Sequence, residues 1–360
     1  MRITGVECFV LDRQFPFIRV ATDEGIIGWG ECFRRIAAVN VAAVEDVLAP
    51  ILLGRDPFET EALHRQMLIA GQIGGPYGTL TPAIAGVDIA LWDIKGKALG
   101  VPIYQLLGGK VRDRVRIYAS SLRRDMTPVE EARRAVSFAE QGYTAYKIHS
   151  AVPGAVDDPA DQTVATVREI RKATGDAFEI LIDVNGAFSP HHAITVGRQL
   201  EELGAFHFEE PVPSWDIEGL ARVADALAIP IATGEMQHTR FQFRDLILQG
   251  RVDIIQPDIV KAGGFTEMIK IAALASTHNR PLTVHNIQPT LCTAAHLQFI
   301  AATPICVYAQ EYNIEPVSIR DEDPVLKTPL EVHDGYMDVP QGPGLGVEVD
   351  EAAVRRWAER

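Results

Sequence analysis

The sequence predicts an α/β protein whose main domain is a (β/α)8-type barrel, TIM-like but modified, preceded by a smaller α+β domain. From Arg116 onward, eight short β-rich runs alternate with helical patterns, and such alternation is typical of parallel β-α units. Eight units of this kind close a barrel. The predicted barrel strands span 116–120, 144–149, 179–184, 205–209, 230–234, 253–257, 281–285 and 305–310. The predicted helices between them span 128–141, 160–174, 190–203, 217–227, 241–249, 264–278 and 290–302.

The N-terminal part of the chain is predicted to form its own α+β domain. Alternating apolar residues and the turn at Asp23-Glu24-Gly25 indicate an antiparallel meander, and helical patterns follow it. The predicted strands of this domain span 2–11, 16–22 and 26–32. Its predicted helices span 39–49, 59–69 and 80–99.

Two connecting regions complete the predicted organisation. The segment from Gly71 to Gly78 holds four glycines and a proline, so it cannot continue a helix. It is either a plain connector or a mobile flap over a site. Near the C-terminus the barrel rhythm stops, and a loop with a short strand follows. We expect an α+β domain at 1–112, a catalytic barrel at 113–325, and a segment at 326–360 that packs back on the first domain and completes it.

Composition excludes several classes of function. The chain has 360 residues, 47% of them hydrophobic, which is enough for a sizeable core, and its formal net charge is −14. A surface this acidic repels phosphate backbones, so we expect no nucleic-acid partner. No apolar run approaches the ~18 residues of a membrane span, and the N-terminus shows no signal-peptide pattern. The scattered cysteines are typical of reduced thiols in a cytoplasmic protein; they are Cys8, Cys32, Cys292 and Cys306.

Acidic residues stand at the ends of three adjacent predicted strands. The active site of a barrel of this kind lies at the C-terminal ends of its strands. Asp183, Glu209 and Glu235 occupy such positions, each 26 residues from the next. A single acid there would ordinarily be a cap or a salt-bridge partner. Three converging carboxylates repel one another unless a cation lies among them, and oxygen ligands suit Mg²⁺, so the set favours a magnesium site.

Groups able to move protons stand at neighbouring strand ends. Lys147 and His149 are two residues apart on one strand, so both side chains point into the barrel mouth. His285 ends the seventh predicted strand, on the opposite side of the ring. Groups on two faces of one substrate suit removal of the proton beside a carboxylate, because a metal and a cation then stabilise the enediolate. Asp258 is placed to accept a hydrogen bond from His285 and fix its tautomer.

On these residues the chain resembles the enolase superfamily, in its mandelate racemase-like subgroup, over nearly its whole length. Residues 25–31 and 86–97 resemble parts of the family's capping domain. Three barrel segments resemble its metal-ligand motifs, namely Asp183-Val184-Asn185, Glu209-Glu210-Pro211 and Gly234-Glu235. The resemblance implies one Mg²⁺ per active site, held by Asp183, Glu209 and Glu235.

The sixth predicted strand decides the subgroup. Muconate cycloisomerase-like members have a lysine where Asp258 stands, ahead of the segment Lys261-Ala262-Gly263-Gly264. An aspartate there, paired with His285, resembles the dyad of mandelate racemase-like members. One departure is the second strand, which usually reads Lys-x-Lys and here reads Lys147-Ile148-His149. By position His149 is then the base and Lys147 holds the substrate carboxylate, although either remains a candidate for the abstracting base.

Further residues are candidates for contact with the substrate. By resemblance, Glu311 bonds a carboxylate oxygen of the substrate and Asn185 contacts its hydroxyl. Residues of the capping domain are expected to set substrate specificity. Among them are Arg13 and, in the glycine-rich loop, Tyr77. His238 lies just past Glu235 on the catalytic side of the barrel, where it is either a substrate contact or an ordinary rim residue.

The predicted activity is the dehydration of an aldonic or aldaric acid sugar to a 2-keto-3-deoxy acid. Racemisation, epimerisation or lactone cycloisomerisation would use the same two bases, and the sequence does not separate these reactions. A metal-stabilised barrel that only binds a ligand predicts the loss of some acid–base positions, and none is lost. The resemblance also implies a homo-oligomer, with a small carboxylate as substrate and no membrane partner.

Overall fold

The computed structural model describes residues 1–72, 75 and 77–359, and its N-terminal part begins with the predicted meander. Three antiparallel strands follow one another in the sheet in chain order. They are β1 (Ile3–Leu11), β2 (Phe15–Thr22) and β3 (Ile27–Glu31). Each begins and ends within one residue of the prediction.

Helices cover this sheet. The longest of them, α4, is buried along nearly its whole length and lies against β3. Gly30 allows this contact, because a Cβ there would lie 2.0 Å from the carbonyl oxygen of Gly86. The helices of this domain are α1 (Ala37–Ala42), a π-helical turn (Ala43–Leu48), α2 (Ala49–Leu52), α3 (Thr60–Gly71), α4 (Leu80–Leu99) and α5 (Ile103–Leu106).

The structure differs from the prediction in the bounds of two helices of this domain. The helix predicted at 39–49 spans 37–52 and contains a π-helical turn at 43–48. Helix α3 continues through Gly71, so the predicted loop begins one residue later. Residues 73, 74 and 76 of that loop lie outside the described residues.

The barrel sheet is built from parallel strand pairs in the order β10-β4-β5-β6-β7-β8-β9. This confirms the predicted barrel fold with an N-terminal α+β domain. The strands are β4 (Arg114–Ser120), β5 (Ala145–His149), β6 (Glu179–Asp183), β7 (His207–Glu209), β8 (Ile231–Thr233), β9 (Ile254–Ile255) and β10 (Gln310–Asn313). The bounds predicted for the first six barrel strands differ from these by no more than two residues.

The seventh predicted strand is not a regular strand. The segment 281–285 forms one isolated bridge, between Leu282 and Ile255 of β9, and its backbone hydrogen bonds on that side continue to the His285 N–H, which donates to the Pro257 oxygen (3.2 Å). On its other side, the Val284 N–H donates to the side-chain oxygen of Gln310 (2.9 Å) instead of to a strand backbone. The eighth strand, predicted at 305–310, lies at Gln310–Asn313. A side chain thus replaces one backbone hydrogen bond between this segment and the strand that follows it, while the Leu282 N–H still donates to the backbone oxygen of Ile305 (3.0 Å).

Helices surround the barrel largely as predicted. The helix predicted at 160–174 begins at Thr163, the one predicted at 241–249 spans 239–250 and ends in a π-helical turn, and the short helix α11 was not predicted. Thr127 and Glu130 form a capping box that begins the first of these helices. The helices are α6 (Pro128–Ala139), α7 (Thr163–Thr174), α8 (Pro190–Glu202), α9 (Ile217–Ala226), α10 (Thr239–Asp245) with its π-helical turn (Leu246–Gly250), α11 (Ile259–Ala262), α12 (Phe265–Thr277), α13 (Leu291–Ala302) and α14 (Ser318–Asp321).

The C-terminal tail contacts both domains. Strand β11 (Tyr336–Asp338) pairs antiparallel with β4 of the barrel. Gly344 then pairs with Pro102 of the N-terminal domain. Helix α15 (Glu351–Ala358), which the sequence analysis did not predict, packs against β1, with the Arg355 guanidinium 5.2 Å from the centre of the Phe9 ring. Among the helices described, none combines the length and apolar character needed to cross a membrane.

Candidate active site

The strand register aligns three of the predicted site residues. His149, Asp183 and Glu209 are the last residues of β5, β6 and β7. They pair with one another across the sheet, His149 with Asp183 and Asp183 with Glu209. Because parallel strands end at the same edge of a sheet, the three side chains lie side by side at the barrel mouth.

Glu235 reaches the same place by a different route. It follows the end of β8 by two residues, after Gly234, whose φ is 147°. A Cβ at Gly234 would lie 2.9 Å from backbone atoms of Gln256. Only glycine tolerates both this conformation and this approach, so Gly234 lets the chain pass β9 closely and deliver Glu235 to the site.

Asp183, Glu209 and Glu235 form one buried carboxylate cluster. Their oxygen atoms lie within 4.8 Å of one another, and the side chains are almost inaccessible to solvent. Burying three carboxylates together is unfavourable without positive charge among them. An all-oxygen donor set of this kind is what a hard divalent cation such as Mg²⁺ prefers, so the residues present fit such an ion.

Each carboxylate of the cluster also contacts one of the predicted proton-transfer groups. Asp183 is 3.0 Å from His149 Nε2, Glu209 is 2.8 Å from Lys147 Nζ, and Glu235 is 3.0 Å from His285 Nε2. The candidate metal ligands and the candidate acid–base groups therefore share one centre.

Lys147 is a fixed cation in this centre. Its ammonium group, fully buried, lies 2.8 Å from Glu209 and 2.7 Å from Glu311. Burial disfavours the charged form, but these two carboxylates outweigh burial and raise the pKa of Lys147 well above its usual value. An ammonium group that is protonated and paired with two carboxylates can stabilise negative charge on a bound substrate. It cannot accept a proton.

His149 presents a single ring nitrogen to the site. Its Nδ1 lies 2.5 Å from the backbone oxygen of Ser121. A carbonyl oxygen only accepts hydrogen bonds, so Nδ1 carries a proton. The nitrogen facing Asp183, Nε2, is therefore the one with a lone pair available to accept a proton.

His285 and Asp258 form the predicted dyad. His285 Nδ1 donates to Asp258 at 2.8 Å, and Nε2 faces the carboxylate cluster. Burial opposes the imidazolium, but Glu235 and Asp258 outweigh it and raise the pKa of His285 to about 9. Burial likewise opposes ionisation of Asp258, yet the hydrogen bond from His285 lowers the pKa of Asp258 below its ordinary range. The dyad is thus an ionised acid behind a protonated imidazole.

Glu311 and Asn185 are at the centre, but their polar atoms are already paired. Glu311 accepts from Ser120 Oγ (2.7 Å), from Lys147 and from the Asn286 N–H (2.7 Å). Burial opposes its ionisation, but Lys147 lowers the pKa of Glu311 below its usual value. Asn185 donates to Asp183 at 2.9 Å, and its amide oxygen accepts from Arg124. In this structure Glu311 also positions Lys147, and the predicted contacts of Glu311 and Asn185 with a substrate remain predictions.

Three predicted substrate contacts lie farther out. His238 is partly buried, and its Nδ1 lies 2.9 Å from the backbone oxygen of Lys261. Arg13 is exposed in the turn between β1 and β2, with φ 56° and no polar contact among the described residues. Tyr77 is exposed beside a cavity that Thr239 also lines, and it does not reach the carboxylate cluster.

The sequence analysis missed two residues at and just after the end of the first barrel strand. Ser120, the last residue of β4, holds Glu311, and Arg124 contacts Asn185. Arg124 and His149 line one cavity of about 300 Å³ at the barrel mouth. The strand-end rule, applied to the first barrel strand as well as to the others, identifies this region.

A second missed group lies behind the dyad. Cys292 and His296 are four residues apart on α13, so they share a helix face. Cys292 Sγ lies 4.0 Å from Asp258 and 3.5 Å from His296 Nδ1. His296 Nε2 accepts the Ile259 N–H at 3.0 Å. The i, i+4 spacing of the two residues was the available signal in the sequence.

Fold and site together define a class, the capped barrels with a buried carboxylate centre at the strand ends. Two family models match this chain. The mandelate racemase/muconate lactonizing enzyme N-terminal domain matches residues 8–108, and the enolase C-terminal domain-like family matches residues 128–353. The chain belongs to the enolase superfamily, in its mandelate racemase-like subgroup.

Relatives match over nearly full length. A D-galactonate dehydratase of Pectobacterium atrosepticum is 36% identical over 98% of this chain and 94% of its own. A D-galactarolactone cycloisomerase of Agrobacterium fabrum is 34% identical over 99% of each chain. The solved structure of a mandelate racemase/muconate lactonizing protein of Paracoccus denitrificans complexed with magnesium has a TM-score of 0.92 and 34% identity, covering 99% of this chain and 96% of its own.

Proposed function

We propose that this protein is a Mg²⁺-dependent hydro-lyase that dehydrates an acid sugar to its 2-keto-3-deoxy acid. The observation that carries the proposal is the placement of two histidines at the two ends of one carboxylate cluster. His149 contacts Asp183 and His285 contacts Glu235, while Lys147 lies at Glu209 between them. Family membership supports the same chemistry, since members named as acid-sugar dehydratases align with the whole chain.

The metal assignment is part of this proposal. Asp183, Glu209 and Glu235 would hold one Mg²⁺, which when bound supplies positive charge to the substrate carboxylate and acidifies the adjacent C–H bond. A magnesium complex of a relative with the same fold supports this assignment.

In the first step, His149 removes the proton on the carbon next to the carboxylate. The C–H electron pair moves into a new C=C bond and produces an enediolate. The Lys147 ammonium group, fixed by Glu209 and Glu311, holds the negative charge that develops on the carboxylate. Its own proton is retained because those carboxylates stabilise it.

In the second step, His285 acts as the acid. It gives its Nε2 proton to the hydroxyl on the β-carbon, the C–O bond breaks, and water leaves. The resulting enol rearranges to the 2-keto-3-deoxy acid. Asp258 holds the imidazolium by its Nδ1–H throughout, which fixes Nε2 toward the substrate.

Lactone cycloisomerisation is the second candidate, favoured by the full-length match to a D-galactarolactone cycloisomerase. The same proton abstraction would then expel the ring oxygen of a lactone, and no water would be released. Racemisation would return a proton to the same carbon from His285.

Proton NMR in D₂O with Mg²⁺ and a panel of aldonic acids, aldaric acids and their lactones separates these candidates. Loss of the α-proton together with a new methylene signal and release of water establishes dehydration. A ring-opened isomer of unchanged mass establishes cycloisomerisation. Loss of the α-proton signal without a methylene would contradict the dehydratase proposal and favour racemisation or epimerisation.

A further inference from the structure

Glu31, the last residue of β3, is a carboxylate buried at the contact between the N-terminal domain and the barrel. Its oxygens accept hydrogen bonds from the Gln288 side chain (2.6 Å), the Thr290 hydroxyl (3.1 Å) and the Cys292 N–H (2.8 Å). These donors follow His285 closely in the chain. One acid of the smaller domain therefore holds the segment that comes directly after the proposed general acid.

Glu31 also caps the N-terminal end of helix α13, although it belongs to the other domain. The Thr290 hydroxyl at the start of this helix donates to Glu31 Oε2, and so does the Cys292 N–H in the first turn. The first N–H groups of a helix have no partner within the helix, and negative charge at this end stabilises it. The position of the first turn of α13 thus depends on Glu31.

That first turn contacts both sides of the catalytic dyad. Cys292 Sγ lies 4.0 Å from the Asp258 carboxylate. The side-chain amide of Asn286, the residue after His285, donates to the Thr293 hydroxyl oxygen at 2.9 Å. Because buried side chains are closely packed, a shift of α13 is passed on to the groups that it touches. The cap from the smaller domain is therefore one contact away from each half of the dyad.

The chain just beyond β3 adds a contact on each of these sides. The Lys261 ammonium nitrogen lies 4.6 Å from the centre of the Phe33 ring, and Lys261 is on α11, which begins directly after Asp258. The Arg34 N–H donates to the side-chain oxygen of Gln288 at 2.7 Å. The end of β3 therefore contacts both the element that follows the acid of the dyad and the segment that follows its histidine.

We propose that residues 31–34, named here the interdomain brace, hold Asp258 and His285 in the geometry that the loss of water requires. Glu31 is the principal positioning residue of the brace, because it accepts three of the hydrogen bonds between the two domains. The inference rests on the proposed function, since it concerns the second step of that reaction.

The brace acts on one step more than on the other. His285 gives its Nε2 proton to the departing hydroxyl, so its direction must be fixed when the C–O bond breaks. His149, which takes the α-proton, is held by the backbone oxygen of Ser121, and neither residue is among the described contacts of the brace. A misplacement of about 1 Å can lower a rate by about 10²-fold. Loss of the brace should therefore slow the loss of water and spare the abstraction of the proton.

The experiment measures two rates in D₂O with Mg²⁺ and the acid that the wild type dehydrates, namely α-proton exchange and keto-acid formation. Glu31→Gln keeps the shape of the side chain but leaves one acceptor oxygen for three donors. We expect keto-acid formation to fall by about 10- to 100-fold, the usual cost of losing a supporting residue, while α-proton exchange stays near the wild-type rate. Thr290→Val removes a single hydrogen bond and should act in the same direction by about two- to tenfold.

Asp88→Asn is the matched control. Asp88 is equally buried in α4 of the same domain, and it also holds the start of a barrel helix, through the Thr266 N–H (3.0 Å) and hydroxyl (2.6 Å). The described contacts of Asp88 include neither Asp258 nor His285. Its substitution should therefore lower the melting temperature without changing the ratio of the two rates.

Two results would overturn the inference while leaving the proposed function in place. One is an equal loss of both rates in Glu31→Gln and in Thr290→Val, and the other is wild-type rates in both variants. Absence of α-proton exchange in the wild type with every acid tested would remove the proposed function, and the role of the brace with it. Near-UV circular dichroism identifies a misfolded variant, and if Glu31→Gln misfolds, the ratio of rates in Thr290→Val decides.

Discussion

Each of the two histidines of the site is oriented by the hydrogen-bond acceptor of its Nδ1–H group. For His149 this acceptor is the Ser121 backbone oxygen, and for His285 it is the Asp258 carboxylate. This difference supports the two roles that we propose for them. A neutral acceptor leaves His149 free to take a proton, whereas an ionised acceptor stabilises the imidazolium of His285 and suits it to donate one.

The His285→Asn variant should separate the two steps of the reaction. Asparagine fills a similar space but has no titratable proton, so water loss should fall by about 10²- to 10⁴-fold, the usual contribution of a general acid. Exchange of the α-proton with solvent should persist, because His149 performs it. The measurement is α-proton exchange in D₂O beside keto-acid formation, with His191→Asn at an exposed site as the control. An equal loss of both processes would contradict the division of roles.

The residues that the structure gathers at the carboxylate cluster were identifiable from their strand-end positions alone. The partners of those residues were not. Glu311, for example, accepts from Ser120, Lys147 and the Asn286 N–H. The hydrogen-bond partner of a buried side chain depends on its rotamer and on loops that are far apart in sequence, such as those near residues 120 and 286. Hydrophobic periodicity carries no information about either.

For the secondary-structure elements, the predicted bounds are correct where the hydrophobic periodicity is strong. They are wrong where a side chain replaces a backbone hydrogen bond between strands. Strands β4, β5 and β6 are alternating or continuous apolar runs, and their positions follow from the pattern. The segment 281–285 has a similar composition, but its neighbour pairs through Gln310. No local pattern distinguishes an apolar strand from an apolar extended segment, so this difference required the tertiary structure.

Helix α13 supports the dyad through His296, which must stay neutral because Nε2 accepts a backbone N–H. Burial lowers the pKa of His296 from 6.5 to about 4. Its neutral form therefore contributes stability above pH 6.5, and that stability is lost as the pH falls from 6.5 towards 4.

Between pH 7.5 and pH 5, the free energy of unfolding of the wild type should fall by about 2 kcal/mol more than that of His296→Asn. Urea unfolding at the two pH values measures this difference. His278→Asn, at an exposed position, should keep the wild-type slope. Parallel pH profiles for the wild type and His296→Asn would contradict the assignment.

Across the whole molecule, the N-terminal domain is bound directly to the segment that carries His285. Glu31, fully buried at the end of β3, accepts hydrogen bonds from Gln288 (2.6 Å), Thr290 (3.1 Å) and the Cys292 N–H (2.8 Å). Burial raises the pKa of Glu31 to about 7 despite these donors. The smaller domain therefore positions the catalytic edge of the barrel as well as covering it.

Metal binding should be visible in the stability of the molecule even without turnover. A ligand that binds only the folded state adds about 2.7 kcal/mol to the free energy of unfolding at 100 times its Kd, so Mg²⁺ should raise the melting temperature of the EDTA-treated protein. Asp183→Asn should abolish the increase. An unchanged melting temperature in the wild type, with Mg²⁺ binding excluded by calorimetry, would contradict the metal assignment.

The packing of α15 against β1 has a consequence for how the protein is made. Roughly 340 residues separate the end of β1 from α15, and a ribosome adds about 5–20 residues per second. The face of β1 around Phe9 therefore waits roughly 20 to 70 s for the helix that shields it. During that interval the nascent chain presents an incomplete sheet, and the smaller domain, although synthesised first, is among the last parts to mature.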